Sequence, residues 1–238
     1  MSRHNEHCLQ FESQSTNQAG LLRETIKVTT VIFNSESRQT VNDHLLCTGG
    51  AELSLDEFQR SVGNGHPAHI HSKNSTSGEA KFLEWNDLHK AAKRTPRSES
   101  YWNFFKAGHR IDPNLLGLID ENGQIREDAI DLVLKQNGTI RLNRAELVLP
   151  KVYSAAIRLR QLTGARVRAV VVASGGPVQG MPRHYDPVDV LAIQVSGQKQ
   201  WQFFGKPVAG SGVVRQLTGE LSTMTNSIEL CCDDILVI

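Results

Sequence analysis

From His184 to Phe204 the chain reads His-Tyr-Asp-Pro-Val-Asp-Val-Leu-Ala-Ile-Gln-Val-Ser-Gly-Gln-Lys-Gln-Trp-Gln-Phe-Phe, a run that constrains the fold more than any other. Asp189–Val195 and Lys199–Phe204 are two strands joined by Ser-Gly-Gln. Pro187 ends the preceding strand, because proline cannot donate to a ladder. A two-residue turn at Gly197-Gln198 suits a type II′ hairpin. That register sets Lys199 opposite Ser196, Trp201 opposite Gln194 and Phe203 opposite Ala192. Lys199, Trp201 and Phe203 then share one face. A lysine on an aromatic face is partly buried and needs an anion there. The ordinary alternative is an edge lysine reaching solvent. Just upstream, His184 and Asp186 are two positions apart and can face the same way from an extended backbone. An imidazole and a carboxylate are two of the three protein ligands in a facial triad for non-heme Fe(II). The ordinary alternative is a polar pair in a surface loop. No histidine follows His184.

The rest of the chain supplies the setting. Residues 1–20 are polar and read as a flexible leader. Ile26–Phe33 is a β-branched strand. Ser54-Leu-Asp-Glu57 places a cap and an acid at the start of a helix through Val62. A second helix starts at Trp85, capped by Asn86 or Asp87. Tyr101–Phe105 reads as a strand and Ile125–Lys135 as a helix with Gly138 beyond its end. Asn143–Leu149 is either strand or helix. Val152–Leu162 has helical spacing and stops at Gly164. Then the period changes: Val167–Ala173 is a strand, Ser174–Pro182 a Gly/Pro loop, and further strands lie at Ile228–Leu230 and Ile235–Ile238. The expected class is α+β, mainly β in its second half: a small antiparallel barrel under N-terminal helices. The expected organisation is one domain over 21–238, helical and mixed to about residue 165, with barrel strands from about 166.

At 238 residues the chain can bury a full core. A net charge of +1 gives no basic field to draw nucleic acid or an anionic membrane. No apolar run approaches the roughly 20 residues of a membrane span. The N-terminus has no apolar core of a secretory signal. Cys8, Cys47, Cys231 and Cys232 show no CxxC spacing, so reduced thiols and a cytoplasmic location are expected.

His184-Tyr-Asp-Pro-Val-Asp-Val-Leu-Ala-Ile-Gln-Val-Ser-Gly-Gln-Lys-Gln-Trp201 resembles the signature of the JmjC-type cupins: His-x-Asp, then a strand with Gln, a Gly turn, a basic residue and Trp. More narrowly it resembles the ribosomal-oxygenase-like members, which are Fe(II)- and 2-oxoglutarate-dependent hydroxylases. Agreement is close over about Gly180–Phe204 and weaker from Trp85 onward. The resemblance implies a cupin double-stranded β-helix with N-terminal helical cover. It implies that His184 and Asp186 are catalytic metal ligands and that Lys199 binds the distal carboxylate of 2-oxoglutarate. Trp201 and Gln194 match structural positions, and Ser174 is a candidate for polar support of the co-substrate. The family's third ligand is a histidine after a Gly-Asp turn, a strand and Pro-Arg-Gly. Asp234–Ile238 matches the start of that pattern, so an incomplete barrel, truncated at its C-terminus, is expected. Open sheet edges would then make the polypeptide poorly soluble. Asp233 stands where the family has Gly. The implied substrate is a protein, peptide or small molecule, a ribosomal protein among them. Relatives dimerise through helices outside the barrel, which leaves a homodimer open. The rival reading is a non-catalytic cupin that binds a peptide or metabolite.

Other clusters have plainer readings. His69 and His71 could share a face and hold Zn or Ni. No acid or cysteine is in reach by sequence, so a structural strand is expected there. Lys90, Lys93, Arg94 and Arg97 read as a solvated helix face rather than a nucleic-acid patch. Cys231 and Cys232 read as one exposed and one core thiol, and Asp233 and Asp234 as turn acids.

Overall fold

The computed structural model describes residues 12–14, 26–33, 44–47, 51–64, 67–73, 82–95, 100–176, 180–181, 184–185, 188–204, 215–216 and 224–238. The first elements are β1 (Glu12–Gln14), β2 (Ile26–Phe33), β3 (His44–Cys47), β4 (Glu52–Ser54), α1 (Leu55–Asn64), β5 (Ala68–Ile70) and α2 (Trp85–Arg94). Next come β6 (Trp102–Lys106), β7 (His109–Ile111), α3 (Ala129–Lys135), β8 (Thr139–Asn143), a 3-10 turn at Ala145–Leu147 and α4 (Pro150–Thr163). The last part holds β9 (Arg168–Ser174), β10 (His184–Tyr185), β11 (Asp189–Ile193), β12 (Lys199–Phe204), β13 (Arg215–Gln216), β14 (Met224–Leu230) and β15 (Ile235–Val237).

Eight strands form one antiparallel sheet in the order β5-β15-β11-β2-β9-β8-β6-β7. A smaller sheet has the order β1-β12-β14, while β10 pairs with β13 and β3 with β4. The sidedness of the large sheet follows from period-two alternation. Leu191 and Ile193 of β11, Ile235 and Val237 of β15, and Ala169, Val171 and Ala173 of β9 join the main core, with Leu88, Ala91, Ile130, Val152 and Leu159 from the helices. Ala192 and Leu236, pointing the other way, meet Trp201, Phe203 and Leu230 of the smaller sheet in a second cluster. The large sheet is therefore covered by helices on one face and by the smaller sheet on the other.

Two covered faces explain why the hairpin expected between Asp189–Val195 and Lys199–Phe204 does not form. β11 pairs with β15 and β2, and β12 pairs with β1 and β14. Val190 to Ile193 are all buried, so β11 needs apolar cover on both faces, as an interior strand does. Segment 196–198 accordingly carries the chain from one layer to the other. Gly197 takes φ +67° there, a conformation open to a residue without Cβ.

Other differences are local. Glu12–Gln14, inside the segment read as a leader, pairs with β12. Strands of the large sheet also come from before residue 165: β2 lies between β11 and β9, and β8 and β6 extend the sheet beyond β9. The large sheet therefore draws strands from both sides of residue 165. Helix α2 is capped at Glu84, two residues before Asn86 and three before Asp87, the caps expected; the Glu84 amide donates to Asp87 Oδ2 at 3.0 Å. Helix α3 begins at Ala129, not Ile125. Asp120 Oδ1 accepts the amides of Asn122 and Gln124, and this side-chain turn competes with helix. Asn143–Leu149 is the end of β8 followed by the 3-10 turn. Helix α4 has Pro150 in its first turn and Gly164 at φ +67° as its stop. Among the described residues, no helix is long and apolar enough to cross a membrane.

Two buried or capping contacts yield stability predictions. Trp102 Nε1–H donates to Thr95 Oγ1 at 2.9 Å, and both residues are buried. Thr95→Val leaves the indole N–H without that partner and should cost about 1–3 kcal/mol in chemical denaturation. At α1, Glu57 N–H donates to Ser54 Oγ, and the Ser54 amide and hydroxyl both donate to Glu57 Oε2. The Ser54 amide, then its hydroxyl, hold the Glu57 carboxyl below its ordinary range. A lowered folded-state pKa gives stability that is present above the unfolded value and lost as pH falls through the folded value. Glu57→Gln should therefore flatten the acid limb of a stability-versus-pH curve, and Ser54→Ala should cost about 1 kcal/mol near neutrality.

Candidate functional site

His184 is placed by its backbone, in β10 opposite Gln216, with Tyr185 opposite Arg215. Asp186 lies outside the described residues. In chain order, β10 precedes the Asp189 end of β11.

The expected co-substrate anchor is better defined. Lys199, Trp201 and Phe203 share a buried face of β12, and Lys199 is only 3% exposed. Its Nζ lies 4.7 Å from the centroid of the Trp201 ring, close enough for a cation–π attraction. A buried ammonium is costly unless charge or dipoles compensate it. The face it occupies is the one that packs on Ala192 and Leu236. Ser174 shares that inter-sheet side by alternation, since Ala169, Val171 and Ala173 of β9 face the helical core. Ser174 is buried and sits opposite Thr139, whose Oγ1 donates to Ser174 Oγ at 3.0 Å.

The same alternation puts Thr139 and half-buried Arg141 of β8 on that side, because Ile140 and Leu142 face the helical core. Arg141 is opposite Val172. Sequence reasoning missed both residues. The available signal was the alternation in Thr-Ile-Arg-Leu-Asn, which the preceding helix and the neighbouring turn obscured.

A second polar group gathers at the other end of β11. Asp234 is 3% exposed, and its carboxylate accepts the Ser72 amide at 2.8 Å and the Cys231 amide at 2.9 Å. His69 Nε2 lies 2.9 Å from Asp234 Oδ2, and His71 Nδ1 lies 4.0 Å from the same oxygen. The two imidazole centroids are 3.8 Å apart. Ala68–Ile70 is the strand expected there, but the expectation of no acid in reach is corrected: Asp234 arrives from 165 residues along the chain from His69. The β15–β5 ladder brings it there, setting Leu236 opposite His69 and Ile235 opposite Ile70. Asp233, in the turn, has φ +69°, which suits the Gly expected at that place.

The remaining clusters resolve simply. Lys93 pairs with Glu127 at 3.0 Å, and both side chains are exposed. Cys231 is exposed, whereas Cys232 is half-buried and its thiol donates to the Val195 carbonyl.

The two ends of β11 are far apart. Gln194 exchanges backbone hydrogen bonds with Asp233 and Asp234, and Val190 with Ile238. From Asp189 to Ile193 is four residue steps, about 13 Å of strand. Lys199 follows the turn after Gln194, and Ser174 lies beside Ala173, which pairs with Ile26 rather than with the Phe33 end of β2. The inter-sheet space thus has polar anchors toward one end and the His184 segment at the other.

Residues 148–233 match the family model of the JmjC domain. The match supports a JmjC-type cupin and spans α4 through β14, including His184, Ser174 and Lys199. No curated protein matches the chain.

Gly180 lies against Thr139 of β8. A Cβ there would fall 2.6 Å from Thr139 Oγ1, inside any allowed contact. Gly180→Ala should displace the Thr139–Ser174 pair and cost about 1–3 kcal/mol by thermal or chemical unfolding. Thr139→Ser, which removes the methyl and keeps the hydroxyl, should restore part of the loss.

Proposed function

We propose that this chain is a JmjC-type, ribosomal-oxygenase-like cupin that works as an Fe(II)- and 2-oxoglutarate-dependent hydroxylase. The observation that carries this reading is Lys199, a buried ammonium on the inter-sheet face of β12, within the span matched to the JmjC domain. A dicarboxylate co-substrate is the kind of anion that such a lysine accommodates.

An imidazole and a carboxylate are two of the three protein ligands that a non-heme Fe(II) centre takes. His184 and Asp186 would hold the metal as an imidazole and a carboxylate. Bound iron supplies dioxygen activation, driven by oxidation of the co-substrate. Lys199 binds the distal carboxylate of 2-oxoglutarate, and Ser174, held by Thr139, offers a hydroxyl to it. Trp201 and Phe203 keep water from the buried end of the site and strengthen the lysine–carboxylate attraction. The barrel is a double-stranded β-helix, with β9, β11 and β15 on one side and β12 and β14 on the other. β15 runs antiparallel to β11 toward the Asp189 end, the direction from which the family draws its third ligand, a histidine. The substrate class is a protein side chain, with peptides and small molecules as further members, and a ribosomal protein is the first to try.

Succinate formation from 2-oxoglutarate with Fe(II), together with 2-oxoglutarate affinity, tests the reading. Lys199→Met should weaken 2-oxoglutarate binding about tenfold to a hundredfold, the loss of one charge-assisted hydrogen bond. His184→Ala should abolish succinate formation. Unchanged turnover in the His184→Ala protein would sink the assignment. Tight 2-oxoglutarate binding with no succinate would move the chain to the non-catalytic, metabolite-binding reading.

A further inference from the structure

The geometry points to a separate divalent-metal site made by His69, His71 and Asp234, which we infer takes Zn(II) or a similar borderline ion. It does not depend on the reading of His184 and Asp186. These three are the group among the described residues whose ligand atoms converge, all lying within 4.8 Å of one another.

The sheet builds this arrangement. His69 lies in β5 and His71 just beyond its end, and their rings come together with centroids 3.8 Å apart. Leu236 is opposite His69, which sets Asp234 opposite His71 two positions back. Leu236 points into the inter-sheet cluster, and Asp234 and His69 share its side. Residues directly opposite and diagonal on one face of an antiparallel pair are the nearest neighbours that a sheet offers.

The separations suit a small cation. Zn(II) holds nitrogen and oxygen ligands at about 2.0–2.1 Å, so neighbouring ligand atoms sit roughly 3.3 Å apart. Asp234 Oδ2 is 2.9 Å from His69 Nε2 and 4.0 Å from His71 Nδ1, values on either side of that spacing. The carboxylate is held in place by the Ser72 and Cys231 amides, as the oriented ligands of metal sites are. His69 and Asp234 have side chains 15% and 5% exposed, and His71 is 76% exposed. The buried pair is thus fixed while the third ligand faces water. Three protein ligands with a solvent side leave a coordination position for water. Two imidazoles and a carboxylate are a hard-to-borderline set, suited to Zn(II), Ni(II) or Co(II) over Ca(II) or Mg(II). A bound ion would tie the edge strand β5 to the turn between β14 and β15. It would lie at the Gln194 end of β11, away from the His184 segment.

The test is Zn(II) binding by equilibrium dialysis with elemental analysis on the 238-residue chain, with Co(II) absorption as a second readout. His71→Ala is the informative variant because that imidazole is largely exposed, and circular dichroism checks that it folds. The expected result is a Zn(II) equivalent that survives His184→Ala and is weakened about tenfold or more by His71→Ala, since loss of even an outer partner costs that much. Asp234→Asn should remove the same equivalent and alter the Co(II) spectrum. No Zn(II) equivalent, one that His71→Ala leaves unchanged, or one lost only in His184→Ala would overturn the proposal.

Discussion

Alternate residues of β11 and β15 are claimed by two different cores, and the rest of the structure depends on that division. Leu191, Ile193, Ile235 and Val237 go to the helical side, while Ala192 and Leu236 go to the smaller sheet. A one-residue slip between these strands would exchange both sets at once. The register is therefore held by packing on both faces, and the positions of Lys199 and Asp234 follow from it. Lys199 is buried because β12 covers Ala192. Asp234 meets two imidazoles because β15 is locked against β5.

The sequence made some of this legible for physical reasons. β2, β9, β11 and β12 were readable because β-branched and aromatic residues cluster there between turn residues. α4 was readable because a helical apolar spacing runs up to Gly164. The shared face of Lys199, Trp201 and Phe203 needed only the strand period. What failed was partnership. A Ser-Gly-Gln joint between two strands suits both a hairpin and a crossing between layers, and local chemistry does not choose. The choice is made by β2 and β15, distant in sequence, which occupy both sides of β11.

The same limit applied to the sites. His69 and His71 were visible as a pair, but their acid is far along the chain, in a turn that looked ordinary. Arg141 and Thr139 were hidden because their strand lies between a helix and a tight turn. By contrast, the spaced residues from His184 to Trp201 sit within one short stretch, where fixed intervals survive without any fold. A spacing within one stretch can be read without the fold, whereas a group assembled across the sheet cannot.

The two outermost strands of the large sheet, β5 and β7, are three residues each. A template for intermolecular pairing needs a row of free amides and carbonyls, and rows this short give an incoming strand little to hold. Self-association through the ends of the large sheet is therefore disfavoured by length alone, whatever the side chains. Attempts to alter the molecule's behaviour in solution would leave these two strands as they are.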